Sequence, residues 1–314
     1  MNKILVTPRS ISANGHPALA KLQVAGYEVL FCSPGVQPGE QDLLAALPGC
    51  VGMLAGVEPI SATVLESAGR LKAISRNGVG VNSIDLDAAA RLNIKVFNTP
   101  GANARGVAEL TWGLLLAMVR AIPFGDAAFK AQTWKRKKGI ELADKTLGLI
   151  GCGSIGKLVA GYALAFGMKV LAFDPYRDES FNPSEAFDYV DSINDILTQS
   201  DVISLHCPPA RDESPLIDAS AIAAMKKGVF LVNTARAELL DEKAVRDALD
   251  SEQIAALGLD VFSPEPPDDW TLAAHPRVVA TAHVGGFTNE SVDRAVEMAV
   301  DNLLAYLDAH GETS

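Results

Sequence analysis

The 314-residue sequence has few of the features that mark membrane proteins. No apolar run reaches the roughly 18–20 residues that a membrane span needs. Residues 1–7 predict a β-strand, and they lack the charged and apolar regions of a signal peptide. We therefore expect no membrane association and a cytoplasmic location.

Cations and clustered cysteines are also scarce. The 27 Lys and Arg residues are outnumbered by 38 Asp and Glu, which gives a formal charge of −11. Because phosphate backbones bind clustered Lys and Arg, we expect no nucleic-acid partner, and the short basic run 135–138 is typical of a solvated loop. The cysteines lack C-x-x-C spacing, so neither a metal site nor a disulfide framework is predicted. They are Cys32, Cys50, Cys152 and Cys207.

What the sequence does contain is a repeated alternation of strands and helices, over a length suited to two domains. In the first hundred residues, strands are predicted at 4–6, 28–32, 51–54, 71–75 and 95–98, with helices such as 18–25 and 61–68 between them. This alternation predicts a parallel sheet with helices on both faces.

A second alternating series begins at Thr146. Six strands are predicted at 146–150, 169–173, 202–206, 229–233, 255–259 and 278–280, and helices at 155–166, 193–199, 219–224 and 242–249. The fold class is therefore α/β, with two doubly wound parallel-sheet domains, a flavodoxin-like one and a Rossmann one. An amphipathic helix is predicted at 289–309.

Between the two series lies an apolar helix, residues 106–120, bounded by Pro100 and Pro123. Its apolar residues cover most of its circumference, which predicts burial on several sides. It is either a core helix or a helix that also packs against a partner subunit.

The second series opens on a glycine loop. Gly151, Gly153 and Gly156 form G-x-G-x-x-G, with Ser154 and Ile155 inside it, between a predicted strand and a predicted helix. That context is typical of dinucleotide binding: the glycines allow a tight turn, close approach of a pyrophosphate and close helix packing. The helix N-terminus adds free N–H groups and partial positive charge.

Asp174 follows the next strand. A carboxylate there can accept both hydroxyls of an adenosine ribose and would repel the extra phosphate of NADP, so NAD is the predicted cofactor. The alternative is an ordinary turn residue at a strand end. Arg177 lies nearby and would weaken the discrimination.

Hydride transfer from an alcohol needs a base for the hydroxyl proton, and His is the natural base near neutral pH. Of the five histidines, His283 is best placed, because it follows the last strand, where ligands of doubly wound folds gather. His206 ends an earlier strand and would border the adenine. Arg236 and Glu265 follow neighbouring strands and leave the same sheet edge as His283.

Several stretches together identify the chain as similar to the D-2-hydroxyacid dehydrogenase family, and within it to the D-3-phosphoglycerate dehydrogenase branch. They are RNGVGVNSID at 76–85, NTPG at 98–101, AELT at 108–111, WKRK at 134–137, the glycine-loop region 142–156, DVF at 260–262 and EPP at 265–267. The resemblance runs essentially from end to end.

The resemblance implies a substrate domain made of residues 1–99 and 287–314, wrapped around an NAD-binding domain of residues 100–286. It also implies a homodimer formed through the region of helix 106–120. We expect no serine-sensing regulatory domain after the closing helix, and therefore no feedback control through such a domain.

The resemblance further implies roles for individual residues. Arg236 is expected to bind the substrate's carboxylate and C2 oxygen, His283 to act as acid and base, and Glu265 to orient His283 and stabilise its protonated form. On the substrate side, the expected contacts are Arg76, Asn77, Gly78 and Val79. On the cofactor side, they include Pro175, His206, Cys207, Pro208, Thr234, Ala235, His283, Gly285 and Asp260, which is expected to hold the nicotinamide carboxamide.

The substrate's tail is the least determined part of the expectation. Arg76 and the basic run 135–138 fit a phosphate, which makes 3-phosphoglycerate the leading substrate. However, Glu58 is a poor neighbour for a phosphate, and segments 236–238 and 285–288 depart from the branch. Hydroxypyruvate, glyoxylate, or an acid with a sulfonate or phosphonate tail are the alternatives. A binding protein of another class, an NAD-sensing corepressor, is possible on the same fold.

Overall fold

The computed structural model describes residues 1–212 and 214–310, and the chain divides into two compact units. The first unit comprises Met1–Asn103 and Thr288–Ser314, and the second comprises Ala104–Phe287. The sequence places these divisions after residues 99 and 286. The assignment of the first unit to the substrate stays a prediction.

The first unit is built on a five-stranded parallel sheet with the order β2-β1-β3-β4-β5. All six residues of the central strand β3 are buried, because helices cover both faces of the sheet. This strand order is the flavodoxin-like one that the sequence predicts. The strands are β1 Lys3–Val6, β2 Glu28–Phe31, β3 Cys50–Ala55, β4 Ala73–Arg76 and β5 Lys95–Phe97.

Five short helices connect these strands, and side-chain caps start two of them. Ser61 accepts a hydrogen bond from the backbone of Val64, and Asp85 accepts one from Ala88, which satisfies N–H groups that have no partner within the helix. The helices are α1 Arg9–Ser12, α2 Leu19–Val24, α3 Glu40–Ala46, α4 Ala62–Ser67 and α5 Leu86–Arg91.

The C-terminal helix Asn289–His310 belongs to the first unit. Val296, Val300 and Leu303 on this helix are fully buried in one cluster with Ile4 and Leu54 of the sheet. Burial of this apolar stripe joins the two ends of the chain in one hydrophobic core.

The second unit contains a seven-stranded parallel sheet with the order β12-β11-β10-β9-β6-β7-β8. This order is the doubly wound dinucleotide-binding order with one further strand at the edge. The strands are β6 Thr146–Ile150, β7 Lys169–Phe173, β8 Phe187–Tyr189, β9 Val202–Leu205, β10 Val229–Asn233, β11 Ile254–Leu259 and β12 Val278–Ala280.

The prediction of six strands in this unit was wrong by one, because strand β8 was missed. It has three residues and follows a polar loop, so it shows neither an apolar run nor a repeated alternation. It exists because Val170, Leu171 and Ala172 of β7 pair with it, a contact that local sequence patterns do not reveal.

Helix α6 spans Ala104–Val119 and is a core helix of the second unit. Ten of its sixteen residues are buried, and Trp112 stacks on Phe166 with ring centroids 4.7 Å apart. Its exposed positions Arg105, Glu109 and Gly113 form a narrow polar stripe. The other helices are α7 Ile122–Lys130, α8 Ser154–Ala165, α9 Ile193–Gln199, α10 Ala219–Ala224 and α11 Glu242–Asp250.

Within the described ranges 1–212 and 214–310, no single helix combines the length and apolar composition of a membrane span. Only α6 and α7 taken together pass that test, and they are bent by 65° with respect to each other. Three cysteines are buried, Cys207 is half-buried, and all four are free thiols.

Candidate functional site

The predicted site residues of the second unit lie in loops at the carboxyl ends of neighbouring strands. In the order β7-β6-β9-β10-β11-β12, each strand ends in such a loop. Because all seven strands are parallel, these loops share one edge of the sheet, where ligands of doubly wound folds bind. They carry Asp174 and Pro175, then Gly151 to Gly156, then His206 to Pro208, then Thr234 to Arg236, then Asp260 and Glu265, and finally His283 and Gly285.

The glycine loop is shaped by two close backbone approaches. Gly151 has a φ of +96°, and a Cβ atom there would lie 2.4 Å from the carbonyl oxygen of His206. A Cβ on Gly156 would lie 2.4 Å from the carbonyl oxygen of Gly151. Gly153 differs, because nothing lies within 4 Å of its Cβ position and it is exposed at the start of α8.

The cradle around Gly153 therefore fits a pyrophosphate. Gly153 is the N-cap of the twelve-residue helix α8 and has no side-chain cap, so the first N–H groups of the helix face outward for an anion. Ser154 and Ile155 form the first turn of this helix.

Asp174 connects the glycine loop to the end of β7. Its Oδ2 accepts a hydrogen bond from the Cys152 N–H at 2.8 Å, and its Oδ1 accepts one from the Tyr176 N–H at 2.8 Å. The carboxylate is half-buried and fixed beside the glycine loop, and each oxygen has a further lone pair for a ribose hydroxyl.

His206 lies against the glycine loop. Its backbone N–H donates to the carbonyl of Ile150 at 2.7 Å, and its ring Nε2 lies 2.9 Å from the Ser204 hydroxyl. Desolvation lowers the pKa of His206 to about 4, so the ring is neutral at physiological pH. A neutral ring suits a wall for an uncharged base such as adenine.

The clearest chemical pair is His283 with Glu265. The Nδ1 atom of His283 lies 2.7 Å from Oε2 and 2.8 Å from Oε1 of Glu265. Since a carboxylate only accepts, the shared proton is on Nδ1, which leaves Nε2 for a substrate. Glu265 is itself held by the Phe262 N–H, which donates to Oε1 at 3.1 Å.

The loop that carries His283 is held by Asp260, a buried residue with 1% exposure. Its Oδ1 accepts from the Thr281 hydroxyl at 2.6 Å and from the Val284 N–H at 2.9 Å, and its Oδ2 accepts from the Gly285 N–H at 2.9 Å. His283 adopts a left-handed φ of +50°, an unfavourable conformation for a non-glycine residue. The three bonds to Asp260 fix the backbone on both sides of it.

Arg236 is positioned by Asn233, a fully buried residue at the end of β10. The Asn233 amide donates to the carbonyl of Arg236 at 2.7 Å and accepts from the Ala235 N–H at 3.0 Å. The guanidinium of Arg236 donates to the Ala235 carbonyl at 2.7 Å. Thr234 is fixed from the other side by a 2.9 Å bond between its hydroxyl and that of Thr111.

Sequence reasoning did not single out Asn233, and it did not predict that Asp260 supports the His283 loop; the predicted contact of Asp260 with the cofactor stays a prediction. The available signal for both was a polar residue directly after a run of buried apolar strand residues. Such a residue must find hydrogen-bond partners in the interior, so it tends to organise the loop that follows.

The predicted residues of the first unit are Arg76, which ends β4, and the three residues that follow it. The guanidinium of Arg76 donates to the carbonyl of Asn77 at 2.7 Å and occupies the space of a Cβ atom on Gly78, whose φ is +148°. Val79 is anchored through its carbonyl, which accepts from the Asn98 side chain at 2.7 Å. This loop therefore has one defined backbone conformation.

Glu58 follows the neighbouring strand β3, which pairs with β4 so that Ala55 faces Arg76. Glu58 is only 1% exposed, and it accepts hydrogen bonds from the Thr7 hydroxyl and, at 2.9 Å, from the Gly56 N–H. A buried acidic group thus lies in the loop adjacent to the one that carries Arg76.

The chain is similar to known proteins over most of its length. Residues 112–285 match the family model for the NAD binding domain of D-isomer specific 2-hydroxyacid dehydrogenases. A hydroxypyruvate reductase of Thermotoga maritima is 45% identical over 240 residues, which are 75% of this chain and 77% of that protein.

The chain is also similar to a longer relative and to a solved structure. A D-3-phosphoglycerate dehydrogenase of Methanocaldococcus jannaschii is 43% identical over 246 residues, 78% of this chain and 47% of that protein, so the match spans about half of its length. The crystal structure of a D-lactate dehydrogenase from Aquifex aeolicus, complexed with NAD and lactic acid, has a TM-score of 0.81 at 28% identity. That match covers 98% of this chain and 96% of the other.

Proposed function

The chain belongs to the D-isomer specific 2-hydroxyacid dehydrogenases, with NAD as cofactor, and we propose that it transfers hydride at C2 of a small 2-oxoacid or 2-hydroxyacid. The observation that carries this proposal is the Glu265–His283 pair, at the same sheet edge as a dinucleotide-binding glycine loop. An imidazole held in this way favours an enzyme over an NAD-sensing protein, because binding of NAD alone involves no proton transfer.

His283 is the proposed proton donor and acceptor. When bound, NADH supplies the hydride at C2, and a proton must reach the C2 oxygen at the same time. In reduction, protonated His283 gives its Nε2 proton to that oxygen, while Glu265 stabilises the imidazolium through Nδ1. In oxidation, neutral Nε2 takes the hydroxyl proton.

Arg236 is the proposed anchor for the substrate. Its guanidinium carries a permanent charge and can donate in parallel to a carboxylate, and Asn233 holds the backbone that carries it. A charge at this place also polarises the C2 carbonyl and favours hydride addition. The backbone of Asn77, Gly78 and Val79 and the Arg76 side chain are further proposed contacts of the substrate.

NAD(H) is proposed to be held by the loops described above. The N-terminus of α8 would bind the pyrophosphate, Asp174 the adenosine ribose, and His206 the adenine. The remaining proposed contacts are Gly151, Gly153, Ser154, Ile155, Gly156, Pro175, Cys207, Pro208, Thr234, Ala235, Asp260 and Gly285.

The loop after β3 favours a substrate whose tail carries no second strong anion, such as hydroxypyruvate. Buried Glu58 lies next to the Arg76 loop, and Arg76 already donates to the Asn77 carbonyl. A phosphate dianion near these groups would meet a carboxylate as well as a cation. Phosphohydroxypyruvate is the second candidate, because Arg76 supplies a permanent positive charge to that loop.

A panel of 2-oxoacids with NADH tests the proposal. We expect hydroxypyruvate or glyoxylate to be reduced with a higher kcat/KM than phosphohydroxypyruvate and sulfopyruvate. Glu58→Gln should raise the kcat/KM for phosphohydroxypyruvate relative to hydroxypyruvate. Binding of NADH without turnover of any 2-oxoacid would favour the NAD-sensing alternative.

We also propose that the chain forms a homodimer through residues near the end of α6. Helix α6 is itself buried, but the segment after it exposes Ile122, Phe124, Phe129 and Trp134, the last at 80%. Phe129 and Trp134 are in contact, with ring centroids 5.7 Å apart, so they form one apolar patch. Light scattering should give the mass of a dimer for the wild type and the mass of a monomer for Phe129→Glu. Trp270→Glu changes another exposed aromatic residue and should keep the dimer mass.

A further inference from the structure

We propose that Asp191 is a specificity-determining residue: it holds Arg177 and so withholds that cation from the 2′-phosphate of NADP(H). The inference rests on the proposed NAD(H) site. It deepens that proposal by explaining why an arginine three residues after Asp174 is compatible with a preference for NAD(H).

Binding of a 2′-phosphate requires a cation beside the adenosine ribose. Residues 151–191, from the glycine loop to the segment directly after β8, contain three cations, Lys157, Lys169 and Arg177. Lys169 begins β7 and therefore lies at the opposite end of the strand from Asp174. Of these three cations, Lys157 and Arg177 are the candidates for binding a phosphate at the ribose.

Both candidates are already paired with carboxylates. Lys157 donates to Asp178, and this bond is the main reason that the pKa of Asp178 is lowered to about 2. The ammonium of Lys157 also lies 5.3 Å from the ring centroid of Phe181. Lys157 is thus occupied by a partner that stays ionised at physiological pH.

Arg177 is held by the last residue of β8 and by the two residues that follow it. Its Nη2 donates to the Asp191 carboxylate at 2.7 Å and to the Val190 carbonyl at 2.6 Å. Its guanidinium carbon lies 5.8 Å from the ring centroid of Tyr189. To contact a phosphate at the ribose, the guanidinium would have to leave all three partners.

The backbone nevertheless keeps Arg177 close to Asp174. The Tyr176 N–H donates to Asp174, which folds residues 174–176 into a tight turn directly before Arg177. A released Arg177 side chain therefore begins beside the ribose-binding carboxylate. Its present contacts, rather than its place in the chain, keep its charge away.

Asp174 and Asp191 oppose NADPH binding to different degrees, and this difference determines how the effect of Asp191 is measured. The Asp191 side chain is 94% exposed, so its ion pair is screened and weak. Asp174 repels a 2′-phosphate directly and is the larger obstacle. The contribution of Asp191 should therefore become visible once Asp174 has been neutralised.

The test compares four variants: Asp174→Ser, Asp174→Ser with Asp191→Asn, Asp174→Ser with Asp188→Asn, and the Asp191 double variant with Arg177→Ala. Asp188 is an exposed carboxylate on β8, so its removal controls for the change in net charge. The dissociation constants of NADH and NADPH are measured from the fluorescence of the dihydronicotinamide, without any 2-oxoacid.

We expect the Asp174/Asp191 double variant to bind NADPH roughly 3- to 10-fold more tightly than Asp174→Ser, with NADH affinity unchanged. The Asp188 control should show no gain, and Arg177→Ala should remove the gain. An equal gain in the Asp188 control, a gain that survives Arg177→Ala, or no gain at all would each overturn the proposal. Since binding is read without substrate, failure of the proposed reaction would be seen separately, in the 2-oxoacid panel.

Discussion

The Nδ1 atom of His283 lies 2.7 Å from Oε2 of Glu265, and both carboxylate oxygens are within hydrogen-bond distance of it. This pair fixes the imidazole with its proton on Nδ1 and Nε2 available to a substrate. The bond between Glu265 and the Phe262 N–H holds the carboxylate in turn. The proposed reaction depends on this chain of contacts.

Replacing Glu265 with Gln should therefore reduce turnover more than cofactor binding. An amide holds the ring but does not compensate the charge of an imidazolium, so we expect kcat to fall by roughly 100-fold or more. NADH affinity should change little, as measured by fluorescence titration. Glu242→Gln, at the start of α11, is the matched control and should keep full activity. A Glu265→Gln variant with the wild-type kcat would remove this carboxylate from the mechanism.

Asp260 gives a second prediction, about the loop that carries His283. Asp260→Ala leaves the Val284 and Gly285 N–H groups without their acceptor, which should lower the free energy of unfolding by about 3 kcal/mol or more. Turnover should fall as well, because the left-handed backbone of His283 loses its support. Thr281→Val removes only one of the three hydrogen bonds and should cost less on both measures. Equal losses in the two variants would show that Asp260 does not organise the loop.

Two glycines of the glycine loop, Gly151 and Gly153, should respond differently to replacement by alanine. In Gly151→Ala, the new Cβ would clash with the His206 carbonyl at a φ of +96°, so we expect a loss of stability of about 2 kcal/mol or more. Gly153→Ala meets no atom within 4 Å and should fold like the wild type. Gly153→Ala should still weaken NADH binding, because its Cβ would keep a pyrophosphate from the backbone. Wild-type NADH affinity in Gly153→Ala would argue against this loop as the phosphate site.

His206 should make stability dependent on pH. Its folded-state pKa of about 4 is below the ordinary value of 6.5, so between these values the unfolded chain binds a proton that the folded chain does not. Stability contributed by this group is therefore present above pH 6.5 and is lost as the pH falls toward 4, by up to about 1.4 kcal/mol per pH unit. His206→Gln, which can keep a hydrogen bond to Ser204, should flatten this part of the denaturation profile. If the two profiles keep the same slope there, His206 is not buried as a neutral ring.

These predictions use features that the sequence reveals to very different degrees. The strands β6, β7, β10 and β12 have the predicted bounds, because each is a mainly apolar run with clear turn signals at its ends. The α/β class with two parallel sheets was also confirmed, because the alternation of strands and helices that predicts it runs through both series. Strand β8 was missed, since Asp188 interrupts its apolar residues, three residues are too few to show an alternation, and only pairing with β7 defines it.

For the candidate site, the sequence indicated which residues gather at the sheet edge but not which contacts they make. Positions after strand ends pointed to Asp174, Arg236, Glu265 and His283, because parallel strands bring such positions to one edge. The left-handed backbone of His283 and its support by Asp260 depend on residues far apart in sequence, so no local pattern reports them. The same holds for the contact between Arg177 and Asp191, which exists only because β8 lies beside β7.

The most direct test of the central claim is the turnover of His283→Gln with the best 2-oxoacid of the panel and NADH. If His283 moves the proton at the C2 oxygen, kcat should fall by roughly 100- to 10,000-fold relative to the wild type. The dissociation constant of NADH, measured on the same preparation, should remain close to that of the wild type. Turnover near the wild-type value in His283→Gln would contradict the account.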